Sequence, residues 1–206
     1  MKVLNLYAGL GGNRKLWKDV TVTAVEIVPE IAKFYQDKFP DDEVIITDAH
    51  QYLLDHYSEY DIIWSSIECT THSRSRFWAS SKGKRYTPVY PDMKLYEEIL
   101  FLKHFFDGKW IVENTKPYYH PLLTPTMVIG RHLFWTNFRV PPIKVKKNTV
   151  VKGKLITWQE ELDFDISGYD FKGIRKDKIL RNCVNPEIGL HLLNHALNRT
   201  SKLIWI

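Results

Sequence analysis

Apolar positions along this chain recur in two rhythms, and the switches between them predict a repeated strand-then-helix order. Residues 2–7 (Lys-Val-Leu-Asn-Leu-Tyr) read as a buried strand, which breaks at Ala8-Gly9-Leu10-Gly11-Gly12-Asn13 before a helical Arg14 to Trp17. Val20 to Val25, with alternating β-branched residues, predicts a second strand ending in Glu26. Pro29 suits the first turn of a helix, and Ile31, Ala32, Phe34, Tyr35 and Phe39 follow at helical spacing up to Pro40. Val44 to Thr47 is a third strand leading through Asp48 into a helix from Gln51 to His56, and Asp61 to Trp64 is a fourth. Met93 to Phe106 has helical period (Leu95, Ile99, Leu102, then Phe105 or Phe106) and stops at Gly108. Lys109 to Val112 is a fifth strand with Glu113-Asn114 at its tip. This order predicts an α/β fold with a doubly wound, mostly parallel sheet.

Length and composition narrow the class. A chain of 206 residues with 44% apolar residues supports one well-buried core and is too short for two generous domains. Two cysteines, no secretory pattern and no long apolar run argue for a reduced, cytoplasmic protein without a membrane span. Cys69 and Cys183 lack partners at zinc-like spacing, so no metal is expected. A net charge of +5 favours a polyanionic partner, although a solvated lysine-rich surface explains it almost as well. The basic residues gather at Arg74 to Arg85, Lys144 to Lys154 and Lys172 to Arg181, all predicted as loops.

Candidate chemistry sits at the strand ends, where open α/β sheets hold their ligands. A strand breaking into a glycine-rich turn that opens a helix brings backbone N–H groups and a positive dipole end to an anionic ligand. Glu26, at the second strand tip, could accept hydrogen bonds from a ribose or be a solvated strand-end charge. Asp48 is placed to bind the amino group of an adenine, or to cap the helix that follows, and the two roles are compatible. Cys69 follows the fourth strand in a polar loop whose His72, Arg74 and Arg76 could ionise a nucleophilic thiol; its alternative is a small buried hydrophobe.

Taken together, these tips resemble the DNA (cytosine-5) methyltransferases. Tyr7-Ala8-Gly9-Leu10-Gly11-Gly12 is similar to that family's first motif, Cys69-Thr70-Thr71-His72-Ser73 to its Pro-Cys loop, and Glu113-Asn114-Thr115 to its Glu-Asn-Val. Arg181-Asn182-Cys183-Val184-Asn185-Pro186, followed by apolar Ile188 to Leu197, resembles the closing motif and helix of the cofactor pocket. The resemblance implies a Rossmann-like fold that uses S-adenosylmethionine, leaves S-adenosylhomocysteine and methylates C5 of cytosine in DNA. By the same resemblance Cys69 attacks C6, Glu113 holds the N3 and amino edge, and Arg131 lies near the cytosine carbonyl, with His132 as the alternative. Cofactor contacts are implied for Tyr7, Ala8, Gly9, Gly11, Gly12, Glu26, Ile27, Asp48, Ala49, Ser65, Asn182 and Val184. Substrate contacts are implied for Ser73, Arg74, Arg76 and Asn114, with Lys82, Lys84 and Arg85 as further phosphate contacts.

Three departures shape the expectation. Ile67-Glu68 stands where the family has proline before its cysteine, and a carboxylate there should raise the thiol's pKa. The family's Gln-x-Arg-x-Arg is replaced by Gly130-Arg131-His132-Leu133-Phe134. The target-recognition region is short. The expected organisation is a catalytic core over 1–138, a basic insertion over 139–178 and a closing segment over 179–206. The insertion carries Lys144, Lys146, Lys147, Lys152 and Lys154 with Trp158, Tyr169 and Phe171, enough to hold a duplex by its backbone while reading few base edges. The expectation is therefore a monomeric enzyme of low or short sequence specificity, in the cytoplasm of a bacterial or phage-infected cell. The alternatives are the same chemistry on a free cytosine nucleotide or RNA, and a catalytically impaired protein that binds cofactor and DNA.

Overall fold

The computed structural model describes residues 1–74, 89–145 and 155–199. Its elements are β1 (Lys2–Leu6), β2 (Thr21–Val25), α1 (Pro29–Lys38), β3 (Glu43–Ile45), α2 (Ala49–His56), β4 (Ile62–Ser65) and α3 (Lys94–Phe105). They continue with β5 (Lys109–Thr115), β6 (Met127–Ile129), β7 (His132–Thr136), α4 (Leu155–Leu162), α5 (Lys176–Asn182) and α6 (Pro186–Ala196). The strands form one sheet in the order β3-β2-β1-β4-β5-β7-β6. From β3 to β5 all pairings are parallel, while β7 runs antiparallel to β5 and β6 antiparallel to β7. Leu6 sits level with Val25 and Ser65, and Ser65 level with Val112, so the carboxyl ends of four strands share one rim.

The inner strands are apolar on both faces because helices cover both. Leu4, Leu6, Ile63 and Val112 pack under Leu53 of α2 and Leu95, Ile99 and Leu102 of α3. Val3, Ile62, Trp64 and Ile111 face Trp17 and Ile188, Leu192 and Leu193 of α6. A third cluster joins Leu10 of the glycine turn and Phe34 of α1 to Trp158, Phe164, Ile166, Phe171, Leu180 and Cys183. Each large side chain buried this way contributes about 1.5–3 kcal/mol. Trp158 and Phe171, in the segment expected to meet DNA, are thus core residues, and Tyr169 stacks edge-on to Phe34 at 4.8 Å.

Several elements depart from the sequence pattern. Residues 12–16 make turns rather than a helix. The Arg14 guanidinium donates to Asp42 at 2.8 Å and to the Trp17 carbonyl, and Trp17 is buried 5.6 Å from Trp64, so the chain bends back directly into β2. Residues 12–16 therefore bring no helix dipole of their own to the glycine turn. β5 runs on through Glu113 and Asn114, which the pattern left at its tip, because Phe134 and Leu133 of β7 pair with them. β6, β7 and α4 were not expected, and residues 176–181 of the expected basic loop belong to α5. Arg76, Lys82, Lys84, Arg85, Lys146, Lys147, Lys152 and Lys154 lie outside the described residues. Among the described residues, no helix is long and apolar enough to cross a membrane.

Candidate active site

The glycine turn leaves β1 through left-handed backbone at Tyr7 (φ 54°), Gly9 (φ 55°) and Gly11 (φ 78°), closed by Gly11 N–H donating to the Ala8 carbonyl at 3.0 Å. Left-handed backbone is strained for a bulky residue such as Tyr7. Its hydroxyl donates to Glu98 Oε1 at 2.7 Å, and the same fully buried carboxylate accepts from Ser65 Oγ at 2.6 Å and meets His50 Nδ1 at 3.0 Å. Burial and the Glu98 charge hold the Tyr7 phenol protonated, far above its usual range. The Ser65 hydroxyl, expected at the cofactor, is committed to Glu98. Sequence reasoning passed over Glu98; the available signal was a carboxylate between Leu95 and Ile99 on the apolar face of α3.

The three glycines differ in surroundings. A Cβ on Gly12 would lie 2.5 Å from the Val184 carbonyl and 2.9 Å from the Cys183 Cβ, and one on Gly11 would strike Phe39 and Tyr35. Around Gly9 the nearest atom to such a Cβ is the Tyr7 carbonyl at 4.0 Å, so this side is open. The closing motif therefore packs directly on the turn, with Val184 buried in the core and Asn182 exposed at the end of α5. Cys183 is buried, and that burial pushes its thiol up to about 12.

Beyond the open side, Glu26 accepts from the N–H groups of Gly9 and Val28, both at 2.9 Å. Burial raises its carboxyl above the usual range, opposed by those N–H donors. Ile27 and Ile46, just past β2 and β3, are 61% and 55% exposed, two apolar side chains at the same rim. Ile46 was absent from the sequence reading. Asp48 Oδ1 caps α2 by accepting from Gln51 N–H at 2.9 Å, and Ala49 is buried behind it. That bond, with Lys94 Nζ 3.4 Å from Oδ2, keeps its carboxyl below the ordinary value. An anionic acceptor, uncovered apolar side chains, a second carboxylate and an open glycine together fit an adenosyl group with a charged tail.

On the other side of β1, β4 delivers Ile67, Glu68 and Cys69. Asn114 donates from Nδ2 to the Ile67 carbonyl at 3.0 Å, and its Oδ1 accepts from Thr115 N–H at 2.9 Å. The N–H groups of His72 and Ser73 both donate to the Cys69 carbonyl, at 3.1 and 2.9 Å. His72 meets the Tyr119 hydroxyl at 2.6 Å, Arg74 Nε donates to the Pro117 carbonyl at 2.8 Å, and Ser73 bridges to Pro117. With no proline before the cysteine, the turn is shaped instead by Asn114 and by the segment after β5. Glu68 accepts from Thr70 at 2.5 Å and lies 3.4 Å from Lys178 of α5.

The Cys69 thiol is pushed up to about 11, first by burial, then by the Glu113 charge, with Arg131 pulling down and Glu68 adding a smaller push upward. The direction matches the expectation from Glu68, but burial and Glu113 are the larger causes. Among the described residues, the cation acting on the sulfur is Arg131, not His72 or Arg74. His72 is fully buried and its pKa is lowered by that burial, which disfavours its charged form.

Glu113 of β5, Cys69 in the loop after β4 and Arg131 in the turn before β7 are therefore close enough for their charges to act on one another at one rim. Glu113 Oε1 lies 2.5 Å from His132 Nδ1, and Arg131 Nε donates to His132 Nε2 at 3.1 Å. An Arg131 terminal nitrogen also donates to the Arg181 carbonyl, tying the site to α5.

No family profile matches this chain, and no curated protein matches it. Among solved structures, the methyltransferase EhMeth from Entamoeba histolytica aligns over 98% of this chain and 99% of its own, at 9% identity and a TM-score of 0.51. This chain has the Rossmann-like methyltransferase fold. A mutant of Spodoptera frugiperda DNMT2 aligns over 56% of this chain and 35% of its own, at 23% identity and a TM-score of 0.39. A TehB-like SAM-dependent methyltransferase from Corynebacterium glutamicum aligns over 55% and 54%, at 13% identity and a TM-score of 0.35.

Proposed function

We propose that this protein transfers a methyl group from S-adenosylmethionine to C5 of cytosine in DNA, with Cys69 as the covalent nucleophile. The observation that carries the reading is the meeting of a thiol, a carboxyl group and a guanidinium at the strand rim beside an open glycine turn. C5 of cytosine is a poor nucleophile until a sulfur adds at C6. Cys69 Sγ gives up its proton to Glu113 and makes that bond, and Glu113 passes the proton on to N3, so the displaced electron pair is held in a neutral ring with C5 nucleophilic. Arg131 offsets the negative charge of the sulfur and of the carboxylate in a site with little water to do so.

S-adenosylmethionine, when bound, supplies an electrophilic methyl group and leaves as S-adenosylhomocysteine. Gly9 would give it room, Glu26 would accept from its ribose, Ile27 and Ile46 would offer apolar surface to its adenine, and Asp48 would take the adenine amino group. A base reaches such a slot only by leaving the stack, and basic residues beside Cys69 hold the backbone while it does. With Trp158 and Phe171 committed to the core, few side chains of the described part of this segment remain to read base edges, which supports short sequence specificity.

A second reading rests on the high pKa of Cys69: a protein of this fold that binds cofactor and DNA without turnover. Trapping on DNA containing 5-fluorocytosine separates the two. An adduct with the natural chain, lost in Cys69→Ala, supports the enzyme. No adduct, with one restored in Glu68→Pro, supports the binding protein. Labelled methyl transfer to duplex DNA, single strands, RNA and dCMP side by side decides the substrate.

A further inference from the structure

We propose that His132 is the positioning residue of the base-holding carboxyl, and that Arg131 acts on Glu113 through it. The assignment rests on the cytosine reading above. His132 opens β7 opposite Thr115, two residues along β5 from Glu113, so the period of the strand puts the side chains of 113, 115 and 132 on one face. Both His132 and Glu113 are buried, at 8% and 6% exposure, so water does not compete strongly for their contact.

The contacts fix the proton. A guanidinium has donors only, so when Arg131 Nε–H points at His132 Nε2, that nitrogen must present its lone pair. The imidazole proton then sits on Nδ1, 2.5 Å from Glu113 Oε1, and is donated to it. Oε1 is thereby occupied, and Oε2 is the oxygen for the substrate. An arginine orienting a histidine that orients a carboxyl group is a three-member relay built from the turn before β7, β7 itself and β5.

The relay has a role in one balanced step. As Cys69 Sγ gives its proton to Glu113 Oε2 and bonds to C6, the C5–C6 double bond opens, N3 takes that proton from Oε2 and the O–H electron pair stays on the carboxylate. His132 Nδ1–H, already directed at Oε1, stabilises that new anion, with the Arg131 charge behind the ring. When sulfur leaves, the C5 hydrogen is lost as a proton to water, the C5–C6 double bond re-forms and N3 returns its proton to Oε2. Nothing in the step requires His132 to touch the base.

The test uses the full chain and duplex DNA of randomised sequence carrying tritium at C5 of cytosine. Without cofactor, label release reports addition at C6 and exchange at C5; with cofactor, methyl transfer is read separately. Loss of a donor to a developing oxyanion typically lowers kcat by about 100- to 1,000-fold. His132→Ala is expected to lose about that much in both assays, with KM within a few-fold. His132→Asn, whose amide N–H can stand near the place of Nδ1–H, is expected to recover at least about tenfold over the alanine variant. Nitrogen-15 spectra of the free protein should show the His132 proton on Nδ1, moving away from that tautomer in Arg131→Ala. Equal loss in Asn and Ala variants, a loss confined to KM, or a proton on Nε2 overturns the assignment while leaving the cytosine reading intact. A natural chain that releases no label and transfers no methyl overturns the cytosine reading and this assignment with it.

Discussion

The most direct consequence of the site's electrostatics concerns how hard it is to ionise Cys69. Burial and the Glu113 charge raise its thiol from 9.0 to about 11. Two units leave about a hundredfold less thiolate at pH 8 than an ordinary cysteine has. Each thiolate is the more reactive for its higher basicity, by about tenfold at a Brønsted slope near 0.5, so the net deficit is about tenfold. Alkylation by iodoacetamide, followed at the Cys69 peptide by mass spectrometry, should therefore rise about tenfold per pH unit from pH 8 to 10 without levelling. Cys183, buried with its thiol at about 12, is expected to react still more slowly. The sign follows from the causes: Glu113→Gln removes the largest charge opposing ionisation and moves the curve to lower pH, and Arg131→Ala moves it higher. A plateau below pH 9, or an unchanged curve in Glu113→Gln, refutes the account of this thiol.

Other expectations follow from single contacts. Asn114→Ala strips the donor from the buried Ile67 carbonyl, so thermal unfolding should report a loss of about 1–3 kcal/mol and 5-fluorocytosine trapping should fall with it. Gly12→Ala sets a Cβ 2.5 Å from the Val184 carbonyl, and an overpacking cost of about 1–3 kcal/mol should appear in denaturant titration. Glu98→Ala leaves Tyr7, Ser65 and His50 without their shared acceptor; calorimetry should show S-adenosylmethionine binding weakened more than in Glu98→Gln, which keeps one acceptor oxygen. Asp48→Ala removes the α2 cap, worth about 0.5–2 kcal/mol in stability; if Asp48 also holds the adenine amino group, cofactor affinity drops as well, whereas Asp48→Ser should restore only the stability.

The alternation of apolar runs was enough to determine an α/β fold with a mostly parallel sheet, because the two periods reflect local geometry: period two for a strand and 3.6 for a helix. Parallel strands put all their carboxyl ends on one rim, so Glu26, Asp48 and Cys69 could be placed near one another from order alone. What tertiary structure alone decided are the partners. Glu113 reads as a strand tip until β7 pairs across it and brings His132 to its carboxyl. Glu98 reads as one more helix charge until α3 lies over β1 and β4, where Tyr7 and Ser65 reach it. Arg14 to Trp17 carry a helical pattern that loses to the burial of Trp17 and the ion pair of Arg14 with Asp42. Trp158 and Phe171 look like a binding surface in a lysine-rich segment, yet they close over Leu10 and Phe34. In each case the deciding contact joins residues far apart in the chain, and no local period carries information about which distant group will supply a proton, a charge or a packing face.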